Sequence, residues 1–319
     1  MRIKGRALTA TPFPSIDAAA GVLAAGGLVI LPTETVYGLA ALAADQHAVA
    51  RLYEAKGRPA FNPLICHVSD LAMAERLADL DDRARALAAA FWPGALTLVV
   101  PIADTAQVCD LARAGLATVA LRAPRHPMAQ ALIAAVGAPL VAPSANRSGR
   151  PSPTTLADAL AETGFAAGAA LDGGPCAVGL ESTVVACLPG APARILRPGG
   201  VPRADIEAVI GPLAPDGGDG VGSPGRLARH YAPCAPLRLN ALAPRPGEAF
   251  IAFGPAGDTP LTFQLSESGD LAEAASRLFS LLRAADAARP PAIAVAPIPG
   301  HGLGEAINDR LRRAAGFVG

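Results

Sequence analysis

Lysine is nearly absent from this chain of 319 residues. Only Lys4 and Lys56 carry an ammonium group, so 25 of the 27 basic residues are arginine (27 minus 2). The basic residues are balanced by 27 acidic ones, and the pI is about 7.0. A protein whose main role is to bind nucleic acid normally has a basic excess, so stable nucleic-acid binding is not expected.

Long apolar segments and paired cysteines are missing as well. No stretch of about 18 apolar residues is free of polar, Gly or Pro interruptions, so no transmembrane helix is predicted. The first ten residues lack the apolar centre of a signal peptide. The five cysteines are scattered without a CxxC pair, which is typical of a reduced protein without a structural zinc site. These absences predict a cytoplasmic protein that does not associate with membranes.

Several common catalytic motifs do not occur. The sequence has no GxxxxGK[ST] loop, no GxGxxG after a predicted strand, no GxSxG and no HExxH. The first two absences argue against a P-loop ATPase and a dinucleotide-binding fold. No acidic cluster suits a metal cage built by the protein itself. Any Mg²⁺ is therefore expected to arrive on substrate phosphates, and no tightly bound organic cofactor is predicted.

Apolar residues are abundant, at 51% against 17% charged, which indicates packed cores. Helix and strand signals alternate through residues 1–208 and predict a layered α/β domain. The irregular spacing of the strands favours a mixed sheet over a strict βαβ repeat. Helix N-caps are predicted at Ser15, Asp45, Asp70 and Asp81.

The composition changes between residues 209 and 236, where Pro, Gly and Asp replace the apolar periodicity. A smaller α/β unit follows, with strands near 249–253 and 293–296 and helices from Asp270 and Gly304. The predicted organisation is a catalytic domain at 1–208, a linker at 209–236 and a C-terminal domain at 237–319. Within the linker, His230 and Tyr231 fit either a segment ordered against another part of the protein or a simple tether.

Two segments carry groups that suit phosphate. KGRP at 56–59 supplies the ammonium of Lys56 and the guanidinium of Arg58. PSAN at 143–146 supplies the hydroxyl of Ser144 and the amide of Asn146. An ammonium acts on phosphate as a compact point charge, whereas a guanidinium offers a planar fork. The two segments therefore indicate a phosphate site, and the alternative is a solvated loop with a chance lysine.

A second set of polar residues lies on or directly after predicted strands. The hydroxyls of Thr33 and Thr35 can bind a small polar substrate or can cap a turn. Glu34 between them is compatible with a base, a partner of metal-bound water or a structural ion pair. His67 is either structural or directed into a cavity while its neighbours face the core. Arg122 is placed to hold a carboxylate through two parallel hydrogen bonds.

A series of short motifs completes this pattern. They are PTETVYGL at 32–39, KGRP at 56–59, NPL at 62–64 with His67, WPG at 92–94, PSAN at 143–146 with SG at 148–149, LDGG at 171–174, ESTV at 181–184 and ILRPG at 195–199. Together they closely resemble the Sua5/YrdC family of threonylcarbamoyl-adenylate synthases. SPG at 223–225, HYAP at 230–233 and GLGEAINDRL at 302–311 resemble the longer Sua5 branch, whereas RLA at 226–228 departs from it.

The resemblance implies a fold and residue roles. The fold is an N-terminal YrdC-like twisted mixed sheet with flanking helices around a large cavity, plus a smaller Rossmann-like α/β C-terminal domain. Lys56 and Arg58 are the expected catalytic residues. The expected ATP-binding residues are Lys56, Arg58, Asn62, Thr118, Ser144, Asn146, Ser152, His230, Tyr231 and Arg194 or Arg197. The expected threonine-binding residues are Thr33, Thr35, His67, Arg122, Ser182 and, through its backbone, Ala142.

The resemblance also implies a reaction, in which L-threonine, bicarbonate (or CO₂) and ATP give L-threonylcarbamoyl-AMP and pyrophosphate. The product would pass to a separate tRNA threonylcarbamoyl transferase complex that modifies adenosine 37 of tRNAs reading ANN codons. Two alternatives share the fold. One is an RNA-binding module, which the zero net charge opposes. The other is the carbamoyl transfer of hydrogenase maturation, whose proteins carry acylphosphatase-like and zinc-binding portions that this sequence lacks.

Overall fold

The structure, a computed structural model, describes residues 11–12, 15–215, 230–257 and 259–316. The predictions made for SPG at 223–225 and for RLA at 226–228 fall on residues outside these ranges, as do those for residues 1–10. Within the described ranges, the chain forms two β-sheets with flanking helices, one before and one after the predicted linker.

The larger sheet has ten strands in the order β1-β8-β2-β3-β7-β4-β6-β5-β9-β10 among the described residues. The strands are β1 (Thr11–Pro12), β2 (Val29–Leu31), β3 (Gly38–Leu42), β4 (Ile65–His67), β5 (Leu96–Pro101), β6 (Thr118–Arg122), β7 (Leu140–Val141), β8 (Ala169–Ala170), β9 (Thr183–Ala186) and β10 (Arg194–Arg197). β4 and β6 are parallel, as are β5 and β9, whereas β2 and β3 are antiparallel, as are β5 and β6. The mixed sheet predicted from the strand spacing is confirmed.

Eight helices surround this sheet in residues 15–215. They are α1 (Ile16–Ala24), α2 (Gln46–Lys56), α3 (Leu71–Leu77), α4 (Asp82–Phe91), α5 (Asp110–Arg113), α6 (Pro127–Val136), α7 (Leu156–Thr163) and α8 (Arg203–Ile210). The four predicted N-caps are confirmed, because each accepts a hydrogen bond from the backbone of the first turn. These bonds satisfy amides that have no partner inside the helix.

Several elements of this region were not predicted from the sequence, among them β3 and α6. β3 begins at Gly38, inside the PTETVYGL motif, for which no strand was predicted. α6 begins with Pro127, whose fixed φ suits the first helical position, after the N-cap His126. By contrast, a helix was expected to open at residues 152–154, and α7 begins slightly later, at Leu156 with Thr155 as N-cap. Short elements of this kind are decided by tertiary contacts more than by local propensity.

The second sheet has four strands, all paired in parallel, in the order β11-β14-β12-β13. The strands are β11 (Leu237–Arg238), β12 (Ala249–Phe253), β13 (Thr262–Ser266) and β14 (Ile293–Val295), and the helices are α9 (Leu271–Ala287) and α10 (Leu303–Ala314). The predicted N-cap Asp270 is confirmed. This parallel α/β arrangement agrees with the Rossmann-like unit that the resemblance implied, although β13 was not predicted.

The two units share apolar contacts. Val36 and Leu180 from the first unit belong to the same buried cluster as Leu278 and Phe279 of α9 and Leu311 of α10. The division at 1–208, 209–236 and 237–319 remains a prediction, since packing is continuous across it. Among the described residues, no helix combines the length and the apolar character that crossing a membrane requires.

Candidate active site

A small cavity lies where β4, β6, β9 and β10 bring their ends together with the loop after β2. Its lining residues are Thr35, Val36, Arg58, Pro63, Leu64, Ile65, His67, Arg122, Ala142, Pro143, Ser144, Glu181, Ser182, Arg197, His230 and Tyr231. Its volume is about 60 Å³, whereas pockets that hold a small molecule measure roughly 300–1,000 Å³. This cavity is therefore smaller than the large one that the resemblance implied.

One end of the cavity is formed where α2 stops. Gly57 adopts a left-handed conformation with φ of 57° and ends the helix, so that Arg58 turns towards the cavity. Arg58 donates from Nε to the carbonyl of Asn62 at 3.3 Å and from Nη2 to the carbonyl of Pro63 at 3.1 Å. These contacts fix a cation on the wall, as the phosphate hypothesis requires.

Lys56 has a different position from the one its motif suggested. The side chain is buried and donates from Nζ to the carbonyls of Ser144 and Asn146, and it is not among the residues that line the cavity. Burial first, and the neighbouring Arg58 second, hold the pKa of Lys56 well below its usual range. Lys56 thus ties the PSAN turn to the end of α2, directly behind the wall.

Two amide side chains lie at the same end without full pairing. The Oδ1 atoms of Asn62 and Asn146 are buried and have no hydrogen-bond partner among the described residues. The Nδ2 of Asn146 donates to the carbonyls of Arg147 at 2.8 Å and Arg150 at 2.9 Å. Buried polar atoms are nearly always paired in folded proteins, so such orphans indicate a place where a ligand or water completes the bonding.

The opposite end is organised by Arg122, the last residue of β6. Its Nη1 donates to Thr35 Oγ1 at 2.8 Å, its Nη2 to Glu34 Oε1 at 2.7 Å and its Nε to the carbonyl of Gly94 at 3.1 Å. The other Glu34 oxygen accepts the backbone amide of Arg125 at 3.0 Å. Burial alone would raise the pKa of Glu34, but Arg122 lowers it overall. Of the three roles left open for Glu34, the structure supports the ion pair.

His67 faces the cavity while its neighbours Cys66 and Val68 are buried, as the strand alternation predicted. Burial, together with the positive charge of Arg122, lowers the pKa of His67 to about 3. Its Nδ1 has no hydrogen-bond partner among the described residues. His67 is therefore a neutral imidazole that can accept or donate a hydrogen bond to a ligand.

The pair of arginines left open by the sequence is separated by the structure. Arg197 lines the cavity and donates from Nη2 to the carbonyl of Ser182 at 2.9 Å, whereas Arg194 does not reach the lining. The two residues lie on one strand with a register shift between Ile195 and Arg197. The Ser182 hydroxyl also shares a hydrogen bond of 2.7 Å with the hydroxyl of Thr97.

Other predicted site residues also lie away from the lining among the described residues. Thr33 uses its hydroxyl inside the turn, on the carbonyl of Val36 at 2.6 Å and on Thr35 Oγ1 at 2.8 Å. Thr118 begins β6, four residues before Arg122, which places it about 13 Å away along the strand. The hydroxyl of Ser152 is buried and donates to Glu181. Their assigned ligand contacts stay predictions.

His230 and Tyr231 are ordered against the cavity, which decides between the two interpretations of this segment. Both are buried, and their rings meet edge to face with centroids 4.0 Å apart. The Tyr231 ring also lies 5.4 Å from the Phe279 ring and 5.3 Å from the guanidinium carbon of Arg310. Burial lowers the pKa of His230 to about 3, so this imidazole is neutral as well.

The structure places Glu181 on the cavity wall and Arg310 directly behind it, two residues to which the sequence analysis assigned no role. Glu181 lines the cavity, accepts the Ser152 hydroxyl at 2.5 Å and accepts Arg310 Nε at 2.8 Å. Burial alone would raise its pKa, but Arg310 and Arg197 lower it to about 2. Glu181 belongs to the ESTV motif and Arg310 to the NDRL motif. An arginine in an amphipathic helix such as α10 normally lies on the solvated face, so neither motif pointed to a pair between them.

A larger cavity of about 450 Å³ lies in the second unit and is lined by residues such as Phe250, Phe253 and Pro297. Its described lining contains no charged side chain. A triphosphate needs cations and directed donors, which are found around the smaller cavity. The smaller cavity is therefore the candidate active site despite its volume.

Two family models match this chain. A family model for Sua5, YciO and YrdC, described as "Telomere recombination", matches residues 21–199, and one described as "Threonylcarbamoyl-AMP synthase, C-terminal domain" matches residues 201–316. The chain is 40% identical to the threonylcarbamoyl-AMP synthase of Bacillus subtilis, over 95% of this chain and 93% of the relative. It is 39% identical to that of Pyrococcus abyssi, over 95% of this chain and 94% of the relative.

The fold is also similar to a solved structure. The crystal structure of P. abyssi Sua5 complexed with L-threonine has a TM-score of 0.87 and 38% sequence identity, covering 95% of this chain and 94% of that one. The arrangement of the two sheets is thus shared with a second protein. The chain belongs to the Sua5 family of threonylcarbamoyl-AMP synthases.

Proposed function

We propose that the protein forms L-threonylcarbamoyl-AMP and pyrophosphate from L-threonine, bicarbonate (or CO₂) and ATP. The observation that carries this proposal is the convergence of Arg58, Arg122 and Arg197 on one cavity, with hydroxyls between them. Two groups of cations at opposite ends suit a substrate carboxylate and a triphosphate in one site.

The amino acid fits the Arg122 end. Arg122 is held by Glu34 and Thr35, so its fork is already oriented when a carboxylate arrives. The carbonyl of Ala142, on the same wall, can accept a hydrogen bond from the substrate amine. His67 is neutral and adds no second positive charge beside that amine. This end therefore suits a threonine whose amine must be neutral to react.

The triphosphate fits the Arg58 end, where Ser144 and Arg197 share the wall. Lys56 and Asn146 stand behind it and hold the turn that presents Ser144. The described lining offers one carboxylate, Glu181, and Arg310 and Ser152 already engage it. Mg²⁺ is therefore proposed to enter on the triphosphate and not on a site of the protein's own, which is how this ion is usually bound.

The chemistry requires positioning more than a covalent enzyme nucleophile. The neutral amine of threonine attacks CO₂, the new N–C bond forms, and the nitrogen loses a proton to give a carbamate. A carbamate oxygen then attacks the α-phosphorus, and the bond to the bridging oxygen of the β-phosphate breaks to release pyrophosphate. Oriented arginines stabilise the charge that develops at phosphorus without rearranging during the step.

A carbamate is labile in water, which gives His230 and Tyr231 a proposed purpose. Both side chains are buried on the cavity wall and exclude solvent from it. Deleting residues 211–319 is a blunt test of this role, because Val36 and Leu180 would lose their apolar partners. Replacing His230 by Ala is sharper, and we expect it to lower the yield of adenylate per ATP consumed.

The test of the reaction is direct. Purified protein is incubated with ATP, Mg²⁺ and bicarbonate, with and without L-threonine, and the products are analysed by mass spectrometry together with pyrophosphate release. We expect a threonylcarbamoyl-AMP mass that depends on both threonine and bicarbonate. Intact ATP binding without that product would contradict the proposal.

The wider role is proposed on the same basis. The product would pass to a tRNA threonylcarbamoyl transferase complex for modification of adenosine 37 in tRNAs that read ANN codons, and the protein would act in the cytoplasm. Because net charge is zero, tRNA is not expected to bind this protein stably. A gel shift with tRNA at increasing salt checks this, since phosphate-driven binding weakens steeply with salt.

A further inference from the structure

A carboxylate stands on the wall of the cavity proposed to hold a triphosphate. Glu181 has a side chain that is 9% exposed, and both of its oxygens are engaged, Oε1 by Ser152 and Oε2 by Arg310. An unpaired carboxylate in a poorly solvated site repels phosphate strongly. Whatever neutralises Glu181 therefore decides whether the site can accept a polyanion.

The other buried carboxylate of the site is neutralised locally. Glu34 pairs with Arg122 at 2.7 Å, and both residues belong to the larger sheet and its loops. Glu181 differs, because its partner Arg310 lies on α10 of the second unit, 129 positions further along the chain. Arg197 of the first unit directs its hydrogen bonds to Ser182 instead. The charge of Glu181 is thus compensated mainly from the second unit.

Arg310 is held rigidly for this purpose. Its side chain is fully buried and donates from Nη1 to the carbonyl of Pro198 at 2.9 Å and to Asp309 Oδ2 at 2.7 Å. Its Nη2 has no hydrogen-bond partner among the described residues. A planar guanidinium that two contacts already fix loses little further freedom when it holds the Glu181 carboxylate.

We propose that Arg310 is a positioning residue through which the C-terminal unit sets the charge of the nucleotide site, so that a triphosphate binds only while Arg310 neutralises Glu181. The identity of the ligand in this inference rests on the function proposed above. Docking of α10 and binding of ATP are then coupled by one ion pair, in addition to the apolar contacts between the units.

The test measures binding to the full-length protein and not turnover. The probe is α,β-methylene-ATP with Mg²⁺, whose bridging carbon blocks the proposed cleavage, titrated by calorimetry. The proteins are the wild type, Arg310→Met, Glu181→Gln and the double variant. We expect Arg310→Met to weaken binding on the order of tenfold to a hundredfold, because one uncompensated charge then faces the phosphates.

The direction in which Glu181→Gln changes the affinity for the analogue separates an effect of charge from an effect of packing. Glu181→Gln removes the negative charge and keeps an acceptor for Ser152, so we expect binding at least as tight as wild type. The double variant should bind within about threefold of Glu181→Gln. Equal weakening by both single variants, or a further tenfold loss in the double variant, would overturn the proposal.

Two comparisons control for a folding defect in Arg310→Met. If Arg310→Met does not give a cooperative melting curve, the comparison of Glu181→Gln with the double variant still decides, since neither contains an unpaired buried carboxylate at this position. The matched control is Glu305→Gln, which breaks a half-exposed ion pair between α10 and Arg203 on α8 without altering a residue of the cavity wall. We expect it to leave the affinity within about twofold.

The two proposals fail separately. A wild type that binds the analogue but yields no threonylcarbamoyl-AMP contradicts the proposed reaction and leaves the role of Arg310 standing. A wild type that forms the product, with Arg310→Met binding the analogue as tightly, contradicts the role of Arg310 alone.

Discussion

Lys56 lies behind the cavity wall and supports a turn of that wall. The residue is buried and donates to the carbonyls of Ser144 and Asn146, two residues of the PSAN turn, of which Ser144 lines the cavity. Loss of the ammonium removes a positive charge and releases this turn. The residue's predicted catalytic contribution therefore combines electrostatics with positioning.

We expect Lys56→Met to lower kcat/KM for ATP on the order of tenfold to a hundredfold, which is less than the roughly hundredfold to thousandfold loss caused by removing a direct donor to a developing charge, because Lys56 acts through the PSAN turn. The measurement is pyrophosphate release at varied ATP. The matched control is Arg85→Met, which removes a cation from an exposed ion pair with Glu75, and it should leave kcat/KM unchanged. A Lys56→Met protein with wild-type kcat/KM would refute the assignment.

His67 makes stability depend on pH. Its pKa is about 3 in the folded protein, compared with an ordinary value of about 6.5. Between these values the unfolded chain binds a proton that the folded chain does not, so stability is full above about pH 6.5 and falls as the pH drops towards 3. Wild type should therefore lose free energy of unfolding between pH 7.5 and pH 5. We expect this loss to be roughly 2 kcal/mol smaller in His67→Gln, which has no imidazole at this position. Urea titrations at both pH values measure this, and identical losses would contradict it.

At the scale of elements, Gly199 follows β10 and packs against the backbone that leads into β9. A Cβ at this position would overlap the backbone of Glu181, Ser182 and Thr183, three consecutive residues of the cavity wall and β9. We expect Gly199→Ala to cost roughly 1–3 kcal/mol of stability and to weaken substrate binding, because Ser182 and Glu181 are displaced.

The matched control for this variant is Gly21→Ala in α1. A Cβ there meets nothing within 4 Å, and alanine favours the helix by up to about 1 kcal/mol over glycine. Melting curves and analogue binding on both variants check the pair. A Gly199→Ala protein as stable and active as Gly21→Ala would show that the wall tolerates the overlap.

At the scale of the whole molecule, the contact between the two units rests partly on Gly179. Its φ is +72°, and a Cβ would overlap the backbone of Ala275 and Ser276 in α9. Gly190 has the same φ of +72°, but a Cβ there meets nothing within 4 Å. Comparing alanine substitutions at the two positions therefore separates the stability cost of backbone strain from the cost of disturbing the contact between the units.

We expect Gly190→Ala to lose about 1 kcal/mol from the left-handed conformation alone. Gly179→Ala should lose at least about 2 kcal/mol more and should bind ATP more weakly, because α9 and α10 are pushed away from the site. Denaturant unfolding and analogue binding measure both effects. Equal stability of the two variants would mean that the units do not depend on this contact.

Local sequence determines the helix starts of this protein and the directions of several side chains. The N-caps Ser15, Asp45, Asp70 and Asp81 were predictable, since a short polar side chain before an apolar periodic segment satisfies free amides whatever surrounds the helix. Arg58, His67 and Arg122 all line the cavity, because strand alternation and the glycine C-cap of α2 fix the directions of their side chains, and their ligand contacts stay predictions.

Only the tertiary structure decided which distant groups meet. Arg310 lies on a helix that the sequence places far from Glu181, and nothing in its neighbourhood distinguishes it from a solvated arginine until α10 packs beside Tyr231. The same holds for Lys56, whose partners on the PSAN turn are about 90 positions away. Local chemistry fixes caps, strands and directions, whereas charge compensation across the site depends on long-range packing, which no local pattern encodes.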